Sequence, residues 1–142
     1  SPLNVTLKAL PPAHRNELPK GRVESVVSTL LPVTIVKLTF EFALEIISFS
    51  EEIRKSNRFE MASQIFRSGT SIGANIREAQ NAESKADFIH KMKIAAKEIE
   101  ETKYWLILCE KAKSYPFNEN LKQKIKEISL ITYKIITTSK TK

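Results

Sequence analysis

An all-α fold, an antiparallel up-down-up-down four-helix bundle behind an irregular N-terminal segment, is what this sequence predicts, and three observations carry it. The chain has 142 residues and only three glycines, too few for the turns an all-β fold needs. From Val33 onward, apolar residues recur at alternating steps of three and four, the stripe of a core-facing helix. The breaks between stripes are short, which makes consecutive helices antiparallel neighbours. This length is one domain's worth, and 42% hydrophobic against 27% charged residues is the balance of a globular chain rather than one disordered throughout.

Residues 1–32 carry Pro2, Pro11, Pro12, Pro19 and Pro32 with no sustained period. Proline lacks an N–H and fixes φ, so this segment is expected to be extended or irregular, with room for a short turn of helix across Val23 to Leu30. The bundle is expected over residues 33–142. Its first helix runs from after Pro32 to about Lys55, with Val36, Phe40, Ala43, Ile47 and Ser50 on one stripe and Phe42, Ile46, Phe49 and Ile53 beside it. Two stripes imply two packing partners.

The second helix, roughly Glu60 to Gln80, contains Ser68, Gly69, Thr70, Ser71 and Gly73. Each glycine costs roughly 1 kcal/mol against alanine, so propensity alone would write a turn. Period writes a continuous helix instead: Ile65, Ile72, Ile76 and Ala79 keep one stripe, and Ala62, Gly69 and Gly73 keep a second. Gly69 and Gly73 are expected at a close helix contact. Asn75 lies near the core stripe and has three readings: it fixes helix register, binds across a subunit boundary, or forms a partly exposed pair with Glu78. Ser84 fits the N-cap of the third helix, with Asp87 making a weak capping box. Phe88, Met92, Ala95, Ile99, Leu106 and Cys109 form its stripe, which stops before Pro116. Asn118 can cap the fourth helix, where Leu121, Ile125, Ile128, Thr132 and Ile135 repeat the pattern.

Chemistry has little to stand on. His14 and His90 have no cysteine or second histidine at ligand spacing, and no Glu-x-x-His pair suits a di-iron bundle, so no metal site is expected. The Gly69-Thr70-Ser71-Ile72-Gly73 run lacks the Gly-Lys-Ser/Thr ending and preceding strand of a phosphate loop. No catalytic residue, cofactor or small-molecule substrate is expected. The lone Cys109 excludes a disulfide framework and makes the reducing cytoplasm the simplest compartment. The least charged run, Ser25 to Val36, is too short for a bilayer, so no membrane span is expected.

What the composition does favour is a polyanion. The net charge of +7 attracts RNA, DNA or anionic lipid. Basic residues gather at Arg54, Lys55 and Arg58, and again at His90, Lys91, Lys93 and Lys97. Such runs are equally well read as solvated faces or as a phosphate-binding surface, and any contact would be backbone-directed, since no base-reading motif is present. A second apolar face on the third helix, Ile94, Trp105 and Leu108 with Tyr104 beside them, is expected to meet another subunit, the competing reading being that the aromatics cap the bundle end.

These residues carry a resemblance. The runs RSGTSIGANIREAQ at Arg67 to Gln80, SKADFIHKMKIAAKE at Ser84 to Glu98, and ETKYWL at Glu101 to Leu106 resemble the bacterial four-helix bundle proteins whose genes occur within intervening sequences of 23S ribosomal RNA genes. The likeness covers roughly Val33 to Thr138 and leaves the proline-containing segment outside. That family is similar in fold to the accessory protein of diversity-generating retroelements, a basic pentameric barrel that associates with nucleic acid and a reverse transcriptase. The resemblance implies an antiparallel bundle assembling as a homopentamer, with no known enzymatic activity. Two functions remain in competition: a polyanion-binding oligomer, and a protein–protein scaffold or assembly factor with no nucleic-acid role.

Overall fold

The computed structural model describes residues 20–141, with side chains from Leu30 onward. Four helices follow one another: α1 (Lys20–Lys55), α2 (Phe59–Gln80), α3 (Lys85–Lys111) and α4 (Glu119–Lys140), with no strand among the described residues. Each packs on the next and α4 closes back on α1, giving an antiparallel four-helix bundle. Its core is one continuous cluster, with Phe42, Ile46, Phe49 and Ile53 from α1, Ile65, Ile72 and Ile76 from α2, Met92, Ile99 and Leu106 from α3, and Leu121, Ile125 and Ile128 from α4. Cys109 is buried in the same cluster.

The first helix departs from the sequence reading. It begins at Lys20, and Pro32 lies inside it. Proline withholds one N–H and costs about 3 kcal/mol in a helix interior, yet Leu31 is only 2% exposed and Ile35 fully buried on either side of it. Burying such side chains is worth about 1.5–3 kcal/mol each, so packing overrides the local penalty. The remainder of the segment expected to be irregular, residues 1–19, lies outside the described residues. The two stripes of α1 also part company: Phe42, Ile46, Phe49 and Ile53 are buried, whereas Phe40 and Ile47 face solvent.

Local chemistry fixes the joints. The amide of Asn57 donates to the Arg54 carbonyl and that of Arg58 to the Ile53 carbonyl, with Asn57 at φ 66°. This is a Schellman end, with asparagine in the left-handed position glycine usually fills. At the start of α3 the Ser84 hydroxyl accepts the Asp87 amide, while the Asp87 carboxylate accepts the Glu83 amide. Asn118 accepts the Leu121 amide and caps α4.

The small face of α2 lies against α1. A β-carbon on Gly69 would stand 2.8 Å from Ile46, and one on Gly73 would stand 3.3 Å from the Thr39 carbonyl oxygen. Asn75 behaves differently from the glycines: it is half-buried and donates to the Ser71 carbonyl of its own helix. The polar link between helices comes instead from Ser68 and Thr102, fully buried hydroxyls 2.9 Å apart across α2 and α3.

Candidate nucleic-acid interface

Helix α3 turns its outer side to solvent, and successive residues step about 100° around it. His90, Lys93, Lys97, Tyr104 and Lys111 share that outer side and are exposed. Among the described residues Lys93 and Lys97 make no ion pair. Lys91 sits on the flank toward α2, where its ammonium meets Glu78 at 3.4 Å. The four basic residues read together in the sequence are thus three on one face and one in a helix-to-helix pair.

The other basic cluster is at the opposite end of the bundle. Arg54 and Lys55 close α1, Arg58 precedes α2, and antiparallel topology brings the α3–α4 joint with Lys113 to the same end. There the Arg58 guanidinium lies 4.8 Å from the centroid of the Tyr115 ring, and it donates to the Ser56 carbonyl. Asn57, Arg58, Phe59, Glu60, Met61 and Tyr115 line a cleft of about 350 Å³. Phe59 and Tyr115 belong to no run that sequence reasoning singled out. Their signal was adjacency to Arg58 and to Pro116, which means nothing until the topology joins the two loops.

Some other cations pair with neighbouring helices, while Lys37, Lys126 and Lys134 make no ion pair among the described residues. Lys122 pairs with Glu110 of α3 and Lys124 with Glu45 of α1, each at 2.7 Å, and Arg67 pairs with Glu101 at 3.0 Å. The hydrogen bond from Lys122 holds the Glu110 carboxyl below its usual range. Beside Arg67, burial and then the adjoining Glu101 push the Glu98 carboxyl upward. One Glu98 oxygen and the indole nitrogen of Trp105 are buried without a hydrogen-bond partner among the described residues.

Besides Phe59, Phe66 and Phe117, exposed apolar side chains gather in two patches. On α1, Val33 (68% exposed), Phe40, Leu44 (53%) and Ile47 repeat at steps of seven, four and three, on the side of the helix facing away from its core stripe. Arg77 of α2 lies 5.4 Å from the Phe40 ring centroid. A second patch surrounds an apolar groove of about 170 Å³ between α3 and α4, floored by Leu106, Ile107 and Ile125 and edged by Lys103, Lys122 and Lys126. Tyr104 and Ile107, a turn apart on α3, and Leu130 on α4 stand exposed. Of the residues expected at a subunit contact, Tyr104 is exposed, while Ile94, Trp105 and Leu108 are half-buried, and Trp105 packs against the chain's own core. The Tyr104 and Trp105 rings are 5.3 Å apart.

Among the described residues no group of three His, Cys, Asp or Glu side chains could hold a metal ion, and no helix is long and apolar enough to cross a membrane. Taken together, this is an antiparallel helical bundle with basic and apolar outer surfaces. The 23S rRNA-intervening sequence protein family matches over residues 32–134, and the chain belongs to that family. It is similar to a crystal structure of a protein of unknown function from the S23 ribosomal protein family of Bacteroides thetaiotaomicron. The two are 39% identical with a TM-score of 0.70, over 75% of this chain and 98% of that one. No curated protein matches the sequence. Neither description names an enzymatic activity.

Proposed function

We propose that the chain is a non-enzymatic, cytoplasmic homo-oligomer that holds RNA or DNA through phosphate contacts. The observation that carries this reading is the outer face of α3, where Lys93 and Lys97 stand exposed without ion pairs while Lys91, Lys122 and Lys124 are drawn into pairs with neighbouring helices. Cations left unpaired on one face are available to replace the counterions of a nucleic-acid backbone. With no base-reading motif, such contacts position a strand without selecting its sequence.

Assembly has its own support. A ring requires one patch to meet a different patch on the next copy. The outer stripe of α1 and the surface around the α3–α4 groove are two unlike apolar patches, the first interleaved with Lys37, Glu41 and Glu51 and flanked by Arg77, the second edged by Lys103, Lys122 and Lys126. A pentamer is the number the family resemblance favours. Repeating a weak basic face around a ring turns a few phosphate contacts per subunit into avidity.

The test is retention of nucleic acid by Lys93→Glu/Lys97→Glu. Wild type should bind at low salt and lose affinity steeply as salt rises, and the double variant should lose retention while keeping its helicity and mass. Unchanged retention by the variant would turn the reading toward a protein–protein scaffold.

A further inference from the structure

We infer that the cleft at the joint end of the bundle is a stacking site for an unpaired nucleobase, so that the preferred ligand is single-stranded nucleic acid. This rests on the proposed phosphate-binding function and deepens it at a second site, away from the middle of α3. Three observations meet there. The cleft of about 350 Å³ has an aromatic and thioether wall of Phe59, Tyr115 and Met61 beside the polar groups of Asn57, Arg58 and Glu60. Phe59, 53% exposed, offers a ring to whatever enters. Cations gather at this end of the bundle: Arg58 lines the cleft and is held over the Tyr115 ring, Arg54 and Lys55 lie in the last turn of α1, and Lys113 lies in the α3–α4 joint.

An aromatic surface within a basic rim is the arrangement that binds single strands, because every base has a face to stack and the backbone runs past the cations. A duplex keeps its bases paired and stacked and cannot use it. Glu60 is the one carboxylate in the lining. It repels a phosphate but accepts a hydrogen bond from an exocyclic base amine, so the base belongs inside the cleft and the phosphates at the rim. Arg58 is suited to the rim: its bond to the Ser56 carbonyl and its seat on Tyr115 fix a planar fork whose other N–H groups can meet phosphate oxygens. The Schellman turn that places Arg58 is closed by backbone hydrogen bonds, so this wall of the cleft is formed before a ligand arrives.

The experiment compares the full chain with Phe59→Ala and Phe59→Tyr, using a fluorescent oligonucleotide, the same strand carrying one abasic site, and its duplex. Phe59→Ala should bind the single strand about 5- to 150-fold more weakly, leave duplex affinity unchanged and keep the salt dependence of wild type. Phe59→Tyr should restore binding, and the abasic strand should show a smaller loss for Phe59→Ala than the intact strand does. Melting followed by circular dichroism checks that each variant is folded. If wild type binds both ligands and Phe59→Ala binds the single strand equally well, or loses both in proportion, the stacking site is overturned while phosphate binding stands. A wild type that binds neither ligand at low salt overturns both.

Discussion

Cys109, Gly69 and Glu98 make the residue scale testable. Burial pushes the Cys109 thiol up to about 11, so at pH 8 almost no thiolate exists to react. Native protein treated with iodoacetamide should show no adduct by mass spectrometry, and denatured protein should show one; rapid native labelling would mean the α3 stripe opens. A second expectation concerns Gly69, where an alanine β-carbon would stand 2.8 Å from Ile46. Overpacking costs about 1–3 kcal/mol against about 1 kcal/mol gained in helix propensity, so Gly69→Ala should lower the melting temperature. In a background of Ile46→Ala the same change should cost less, and purely additive losses would show that the two do not touch. Glu98 gives a pH signature. Its carboxyl is raised by burial and by Glu101, so the folded state favours the protonated form, and this contribution is lost as pH rises through the raised value. Glu98→Gln should melt higher than wild type at neutral pH, with the gap closing in acid; a gap that persisted or widened in acid would contradict the assignment.

At the scale of elements, α1 shows both the reach and the limit of reading periodicity. The stripes that form the core of all four helices were legible, as were the caps at Ser84 and Asn118, because each depends on spacing within a single helix. Where α1 begins was not: Pro32 is a strong local stop signal, and only the burial of Leu31 and Ile35 overrides it. Leu31→Ala should therefore destabilise the bundle by about 2–5 kcal/mol in a denaturant titration, whereas a loss near zero would mean helix and core begin only after the proline. The fate of Lys122, Lys124 and Lys126 follows from spacing, since residues two apart point to nearly opposite sides of a helix. Hence Lys122 reaches α3 and Lys124 reaches α1. The same geometry limited the reading of the candidate site. His90, Lys91, Lys93 and Lys97 are close in sequence but divide between a face and a flank, and the pairing of Arg58 with Tyr115 spans two loops that only the folded topology brings together.

At the scale of the whole molecule, the exposed apolar residues carry the prediction. Light scattering should give the wild type a mass of several subunits at micromolar concentration, and Phe40→Glu/Leu44→Glu should reduce it to that of one chain with helicity intact. A monomeric wild type would remove assembly from the proposed function and leave the α1 stripe unexplained. The placement of that stripe has a further effect. Helix α1 is apolar on the side that builds the subunit's core and apolar again on the side facing away from it, so a separate subunit exposes to water what a neighbour would cover. Partners that bind only the native state stabilise it by mass action. The thermal midpoint of this protein should accordingly climb with total concentration, and dilution alone, without any denaturant, should bring the bundle closer to unfolding.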